Sequence, residues 1–286
     1  MEAFSPNLFV DVVNMSITAS YVIVFVLVAR LCLKKAPKIF SYSLWSVVLF
    51  RLVCPFSFSS ALSLLHTASG SSGKIQYIPL NIGLMEQPQI NTGIKGVDSA
   101  INASLPLVTP YASANPMQIV LFILSLIWVT VIVALLFYSV ISYLVLKRKV
   151  STAILVEDNI FESETISSPF VLGLIKPKIY LPIGLKDTER SYILKHEQTH
   201  IRRFDHLIKP FAFLALCVHW FNPLVWISFM LMTKDMEMSC DERVLKELGT
   251  SIKKDYSTSL LSLAIDQRMI SASPLAFGES NIKARI

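Results

Sequence analysis

Three long apolar runs dominate the first half of the chain, at about residues 10–33, 39–65 and 117–146. Each is long enough for a helix that crosses a bilayer, because about 20 apolar residues span the hydrocarbon layer. The stretch between the second and third runs, 67–116, is rich in Ser, Gly, Asn and Pro, which predicts an exposed and loosely structured loop. We therefore predict a transmembrane region over residues 1–146 with three spanning helices.

The basic residues predict how these helices are oriented across the membrane. The sequence "KKAPK" separates the first two runs and "KRK", Lys147 to Lys149, ends the third, whereas the loop 67–116 contains only Lys74 and Lys95. Lys and Arg are enriched on the cytoplasmic side of membrane proteins. We expect a multi-pass protein of the cell membrane whose N-terminus and 67–116 loop lie outside, and whose residues 147–286 begin in the cytoplasm.

After residue 147 the pattern changes from long apolar runs to short strands and amphipathic helices. "TAILVED" and "SSPFVLGLIKPKIYLP" predict β-strands, and the second is typical of a hairpin that turns at "GLIKPK" and lies at a sheet edge. "TERSYILKHEQTHIRRF" and "KDMEMSCDERVLKELG" predict helices. Residues 147–286 are therefore interpreted as a cytoplasmic α+β domain.

A fourth long apolar run, Phe211 to Met232, interrupts this domain. Its length alone would predict another spanning helix. However, Lys209 and Lys234 flank it with equal charge, and Asn222-Pro223 breaks helix continuity near its middle. We predict two helical arms that meet at "HWFNP", as a membrane-associated helical hairpin that is buried in the domain or dips into the inner leaflet.

The amino-acid composition supports a membrane protein and limits the kinds of binding partner. Only 16% of the residues are charged and the mean hydropathy is +0.56, whereas a typical soluble domain has about 25% charged residues. The net charge of +6 lacks the interleaved aromatic residues of a nucleic-acid surface. We expect the lipid bilayer as a partner and no direct contact with nucleic acid. The four cysteines form no CxxC pair and are interpreted as packing thiols.

The helix that contains "HEQTH" carries the strongest chemical signal in the chain. His196 and His200 are four residues apart and share one helix face, where both imidazoles can bind one Zn²⁺. A zinc ion with three protein ligands keeps a position for water, whose pKa falls to about 7. Glu197 is the expected general base, which takes the proton of that water as it attacks a peptide carbonyl.

Two residues compete for the third ligand position. His206 has the spacing of the HExxHxxGxxH motif, but Arg203 stands where that motif needs a glycine for a sharp turn. Glu237 lies on a separate predicted helix in "EMSCD", and Asp241 shares its face four residues later. We favour Glu237 as the ligand, with Asp241 accepting the free N–H of a ligating histidine. The alternative for both carboxylates is a solvated acidic helix face.

Four segments in order, "SSPFVLGLIKPKIYLP", "ILKHEQTHIRRFDHLIK", "HWFNPLVW" and "KDMEMSCDERVL", resemble the membrane metallopeptidases of the BlaR/MecR β-lactam sensor-transducer family. The resemblance covers nearly the whole chain. It implies a gluzincin-like zinc peptidase domain in which His196, His200 and Glu237 are the zinc ligands and Glu197 is the general base.

The resemblance also implies where a substrate binds and what its cleavage serves. The hairpin would border the active cleft, and its edge strand would pair with an extended substrate. The residues expected at this edge are Ser168, Pro169, Phe170, Val171 and Gly173. Family members convert an outside signal into cytoplasmic proteolysis, often of a transcriptional repressor, and some cleave their own chain. We expect a signal-transducing zinc endopeptidase in the regulation of antibiotic resistance, with "SASPLAFGESNIKARI" as the self-cleavage region.

One departure from the family leaves several alternatives open. Antibiotic-sensing members continue into an extracellular penicillin-binding domain, whereas this sequence ends at Ile286. It is interpreted either as a truncated sensor or as a short form without that domain. A constitutive membrane quality-control metalloprotease would have the same site. So would a non-catalytic membrane transducer with a structural zinc ion. The substrate, the activating signal and the formation of a homodimer also stay open.

Overall fold

The computed structural model of the chain describes residues 6–54, 77–85, 87–106, 115–249 and 277–278. Most of these residues belong to helices, which are α1 Pro6–Cys32, α2 Lys38–Val53, α3 Lys95–Ser104, α4 Pro116–Lys149, α5 Asp187–Arg202, α6 Asp205–Val218 and α7 Pro223–Leu248. Two short 3-10 turns, Leu33–Lys35 and Ile82–Leu84, follow α1 and precede α3.

Within these described ranges, two helical segments are long and apolar enough to cross a membrane, Asn7–Lys35 and Pro116–Lys149. They coincide with the first and third predicted spans, and many of their large apolar side chains are exposed, as lipid contact requires. The second predicted span, 39–65, begins with α2, which ends at Val53. Residues 55–76 lie outside the described part of the chain, so a third crossing stays a prediction.

Within the predicted 67–116 loop, the described residues 77–85 and 87–106 are more ordered than the sequence indicated. Within the described part of this loop α3 forms, and Ile82 is fully buried in a cluster with Val10. The Asn14 side chain of α1 accepts the backbone N–H groups of Tyr77 and Ile78 and donates to the carbonyl of Ile78. One buried asparagine and a few apolar residues order this segment against α1 and α4, in spite of its polar composition.

A small mixed sheet follows α4. Its strands are β1 Ile154–Glu157, β2 Ile160–Ser163, β3 Phe170–Leu172, β4 Lys178–Pro182 and β5 Phe277–Gly278, in the spatial order β1-β2-β4-β3-β5. The pair β2–β4 is parallel and the other pairs are antiparallel. The predicted hairpin is β3–β4. Its turn needs Gly173, because φ is +115° and a Cβ would lie 2.6 Å from the carbonyl oxygen of Lys176.

Strand β3 packs on two different neighbours, because its side chains alternate between the faces of the sheet. Val171 joins a buried cluster with Ile193 of α5 and Met236 of α7. Phe170 and Leu172 belong to a second cluster, which includes the end of α4. The sheet therefore holds α5 and α7 on one face and packs its other face against the last turns of α4.

The apolar run Phe211 to Met232 doubles back on itself. It contains the end of α6, a turn over 219–222 and the first part of α7. The Asn222 side chain caps α7 by accepting the N–H of Leu224, and its amide donates to the hydroxyls of Ser16 and Ser20 in α1, each at 2.8 Å. The residues that precede and follow this run therefore lie at the same end of the α6–α7 pair.

A buried ion pair joins α7 to the first two helices. Arg30 of α1 donates through Nε and Nη2 to the two carboxylate oxygens of Asp235, each at 2.7 Å. Trp45 of α2 donates its indole N–H to the same carboxylate at 2.9 Å. Asp235 is 1% exposed, and a buried carboxylate is tolerated only with partners of this kind. It lies two residues before Glu237 and fixes that part of α7.

Candidate active site

Helix α5 presents the two histidines of "HEQTH" to α7. His196 and His200 are buried on one face of α5, and their Nε2 atoms lie 3.0 Å apart. Glu237 of α7 faces them, with its Oε2 atom 3.5 Å from His196 Nε2 and 3.6 Å from His200 Nε2. The structure thus brings the three predicted ligands together from two helices.

The three donor atoms form a triangle of the size that a metal ion requires. In a tetrahedral zinc site with ligand distances of about 2.0–2.1 Å, neighbouring ligand atoms lie about 3.3–3.4 Å apart. The sides of 3.0, 3.5 and 3.6 Å in this triangle are close to that value. The three residues therefore fit a zinc ion in their number, chemistry and spacing.

Both histidines have a carboxylate behind the ring. His196 Nδ1 is 3.3 Å from Asp241 Oδ1, and His200 Nδ1 is 2.8 Å from Asp205 Oδ2. Such carboxylates hold the Nδ1 proton and turn the Nε2 lone pair towards a metal. Asp241 is the residue that the sequence indicated for this role, and Asp205 was missed.

The turn between α5 and α6 brings Asp205 back to His200. Phe204 adopts a left-handed conformation with φ of +59°, which ends α5 and starts α6 one residue later. Asp205 is fully buried, accepts the hydroxyl of Tyr42 at 3.0 Å and lies 3.5 Å from Nε of Arg203. A left-handed phenylalanine is uncommon, and no glycine stands at this turn. The turn therefore could not be recognised from the sequence.

His206 does not belong to the donor triangle. It is buried near the β3–β4 turn and lines a cavity of about 410 Å³ with Val171 and Gly173. The helix does break near Arg203, as a third-histidine ligand would need, but the break directs Asp205 rather than His206 to the cluster. The preference for Glu237 over His206 is therefore consistent with the geometry.

Cys240 is a further donor that the sequence interpretation treated as packing. Its thiol is fully buried, and its Sγ lies with ring nitrogens of His196 and His200 in a group whose donor atoms are all within 4.8 Å of one another. The thiol also donates to the carbonyl of His196 at 3.6 Å. A cysteine three residues after Glu237 on a predicted helix is the one signal that could have placed it here.

The cluster is electrostatically coupled. Burial lowers the pKa of His200, but the charges of Cys240 and Glu237 and the hydrogen bond to Asp205 outweigh it, so the pKa lies well above the usual value. Burial raises the pKa of the Cys240 thiol, whereas His196 and His200 lower it to about 7. Protons therefore compete with a metal ion for these donors, and metal binding is expected to strengthen as pH rises.

Glu197 and the hairpin complete the set of predicted site residues. Glu197 is buried next to His196 on α5. Ser168, Phe170 and Val171 are buried, and β3 pairs with β4 on one side. On its other side β3 pairs with β5 of the C-terminal tail, in a register that places Phe277 opposite Val171 and Gly278 opposite Phe170.

Comparison with known proteins places the chain in a family. The family model described as BlaR1 peptidase M56 matches residues 10–286. The regulatory protein BlaR1 of Bacillus licheniformis is 37% identical over 131 residues, which cover 43% of this chain and 22% of that protein. The methicillin resistance mecR1 protein of Staphylococcus aureus (strain Mu50 / ATCC 700699) is 33% identical over 132 residues, which cover 43% of this chain and 23% of that protein. The match thus spans less than a quarter of each relative. The chain belongs to the BlaR1 peptidase M56 family, a family of membrane metallopeptidases.

Proposed function

We propose that the chain is a zinc-dependent membrane endopeptidase of the signal-transducing type, which cleaves a cytoplasmic regulator, its own chain, or both. The observation that carries this proposal is the triangle of His196, His200 and Glu237, with a carboxylate behind each histidine. Zn²⁺ is the cofactor that best suits two imidazoles and one carboxylate.

Each residue of the site has a distinct role in this proposal. His196, His200 and Glu237 hold the zinc ion, which when bound supplies a water molecule of lowered pKa. Glu197 accepts a proton from the attacking water and returns it to the leaving amine. Asp241 and Asp205 orient the two imidazoles and favour the tautomer with a free Nε2 lone pair.

The proposed substrate pairs with β3 as an added strand. Backbone pairing at a sheet edge accepts many sequences, because the hydrogen bonds come from the main chain. The tail already occupies this edge through Phe277 and Gly278. This pairing supports self-cleavage in "SASPLAFGESNIKARI", since the tail reaches the strand where we place the substrate.

The proposed cellular location follows from the distribution of basic residues, and the proposed substrate follows from the names of the relatives. The N-terminus would lie outside the cell and the peptidase domain, residues 147–286, in the cytoplasm. BlaR1 is a regulatory protein by its name. A cytoplasmic protein substrate such as a transcriptional repressor is accordingly our proposal for this chain. A homodimer is compatible with the proposal and is not needed for the site, because one chain supplies all three ligands.

A second candidate function is a non-catalytic membrane transducer with a structural zinc ion. Cys240 favours it, because a fourth protein donor would close the position that a catalytic zinc ion keeps for water.

The Glu197→Gln variant separates these candidates. For a peptidase, wild-type protein in lipid nanodiscs cleaves a test substrate or its own tail, while the variant keeps its zinc ion and loses about 100-fold or more of the rate. A wild type that binds zinc and cleaves nothing would instead establish the structural site. Proteins trapped by the variant in cells distinguish a regulatory protease from a quality-control protease, which would retain many unrelated substrates.

A further inference from the structure

An exposed apolar surface surrounds the β3–β4 turn, close to the site. We call it the apolar rim, and it consists of Leu174, Ile175, Phe204 and Leu207. Ile175 is 93% exposed at the tip of the turn. His206 connects the two parts of the rim, since it interacts with the backbone of Leu174 and its ring lies 6.2 Å from the Phe204 ring. An aliphatic side chain with this exposure is unfavourable in water.

The position of the rim along α4 shows how deep the rim lies relative to the apolar part of that helix. The cavity of about 410 Å³ beside the turn is lined by Leu174, Ile175 and Lys176 from the turn and by Val140 and Tyr143 from α4. Val140 precedes the basic end of α4 at Lys147 by seven residues, or about 10 Å along the helix. The turn therefore reaches past the basic end of α4 into the level of its apolar part.

Helix α6 lies at the same level. Near its start, His206 lines the cavity with Val140 and Tyr143. At its end, the carbonyl of Val218 accepts the indole N–H of Trp128 in α4 at 2.8 Å. Helix α6 thus runs alongside the inner half of α4, in the opposite direction. Beyond the rim, its exposed apolar stripe continues with Phe211 and Leu214.

Charge around the rim has the sign that suits a cytoplasmic membrane surface. Lys176 is exposed in the turn next to Ile175, and Lys147, Arg148 and Lys149 end α4. The cytoplasmic leaflet carries anionic lipids that attract such residues. Exposed apolar side chains with neighbouring lysines are the composition of a surface that lies in the interface of a bilayer.

We infer that the apolar rim inserts into the inner leaflet, so that the β3–β4 turn anchors the substrate edge of the peptidase domain at the membrane surface. The partner is the lipid bilayer itself. The inference does not depend on catalysis, because it uses only exposure, depth along α4 and charge. It implies that a segment pairing with β3 is presented at the bilayer surface rather than deep in the cytoplasm.

A depth measurement on the full chain tests this inference. Cys32 and Cys54 are replaced by serine, which leaves the buried thiols Cys217 and Cys240. An NBD fluorophore is then attached to Ile175→Cys, in nanodiscs of phosphatidylcholine and phosphatidylglycerol with or without doxyl-labelled phosphatidylcholine. Ile183→Cys is the matched control, since Ile183 follows the other end of β4 and is 50% exposed.

The expected result is a loss of NBD emission with doxyl lipid at residue 175 and no loss at residue 183. Ile175→Asp and Ile175→Leu give an independent readout by tryptic cleavage after Lys178, because the bond after Lys176 precedes Pro177 and resists trypsin. The aspartate variant is cut faster than the wild type, and the leucine variant is not. Emission that is insensitive to doxyl lipid at residue 175 would overturn the inference. A blue-shifted emission without doxyl quenching would also overturn it, because contact with a second copy of the chain would then cover the rim.

Discussion

Asp205 and Asp241 lie behind the two histidines at different distances, so we expect them to contribute unequally to metal affinity. Asp205 is fully buried with three partners, His200, Tyr42 and Arg203. Asp241 is 3.3 Å from His196 and partly exposed. Carboxylates in this position typically contribute 10–100-fold to metal affinity. The shorter and more buried contact should contribute the larger share.

We therefore expect Asp205→Asn to lower zinc affinity by about 10–100-fold, and Asp241→Asn to lower it less. The amide keeps the size of the side chain but removes the charge that favours the His200 tautomer. Competition for zinc with a chromogenic chelator gives the affinity without any need for activity. Equal affinities in the wild type and Asp205→Asn would contradict the role of Asp205.

At the residue scale, the clustering of the candidate side chains was predictable only where their spacing follows the period of a helix. His196, His200, Glu237 and Asp241 were found because each pair is four residues apart on a helix. Asp205 was missed because a left-handed residue without glycine returns it to His200. Cys240 was missed because the sequence does not distinguish a cysteine that only packs in the core from one that lies beside a metal site.

Cobalt substitution reports whether Cys240 contacts the metal. If the proposed catalytic site is right, the metal is held by His196, His200 and Glu237, and Co²⁺-loaded protein has no thiolate-to-metal absorption in the near ultraviolet. The Cys240→Ser variant should then bind Co²⁺ as the wild type does. An absorption band that Cys240→Ser removes would favour the closed, structural site.

At the scale of elements, the ion pair between α1 and α7 fixes the helix that carries Glu237. Removing one partner of a buried pair leaves an uncompensated charge. We expect Arg30→Ala to lower the free energy of unfolding by about 3 kcal/mol, because Asp235 is buried although Arg30 is itself partly exposed. Urea unfolding in detergent measures this change.

The control for this prediction is a surface pair. Arg190 and Glu162 lie 3.1 Å apart with both side chains partly exposed. Arg190→Ala should change the free energy of unfolding by less than about 1 kcal/mol, because solvent screens such pairs. If the two variants lose the same free energy of unfolding, the ion pair of Asp235 does not stabilise the fold as we expect.

The strand pairing of the tail gives a prediction about self-cleavage. Proline at residue 277 removes a backbone N–H and disfavours strand pairing. We expect Phe277→Pro to abolish cleavage of the tail while cleavage of an added substrate continues. Mass spectrometry of the purified chain detects the products, and Ile282→Pro serves as the control outside the described pair. Unchanged tail cleavage in Phe277→Pro would show that the pairing of β5 with β3 is not needed for self-cleavage.

The elements themselves were predictable to different degrees. The β3–β4 hairpin, α4 and α5 follow from apolar period and turn residues. The order within the 67–116 loop did not follow, because long-range contacts such as that of Asn14 with Ile78 hold it rather than local propensity. Pairing of β5 with β3 could not be read from the sequence, since a two-residue strand has no periodicity.

At the scale of the whole molecule, the hairpin of α6 and α7 keeps the two halves of the candidate site together. A single crossing by Phe211 to Met232 would separate Glu237 from His196, whereas a turn over 219–222 keeps them 3.5 Å apart. We expect Lys246→Cys to be protected from a membrane-impermeant maleimide in intact cells and Lys95→Cys to be labelled. Labelling at residue 246 from outside would contradict a cytoplasmic peptidase domain.

The central claim is that His196, His200 and Glu237 of one chain hold a catalytic zinc ion, and zinc stoichiometry tests it most directly. The measurement compares the purified wild type with Glu237→Gln and with Glu242→Gln, a control on the same helix whose carboxylate instead accepts the backbone N–H of Lys38. We predict one zinc ion per chain in the wild type and in Glu242→Gln, and its loss from Glu237→Gln. A full complement of zinc in Glu237→Gln, bound with wild-type affinity, would contradict the account.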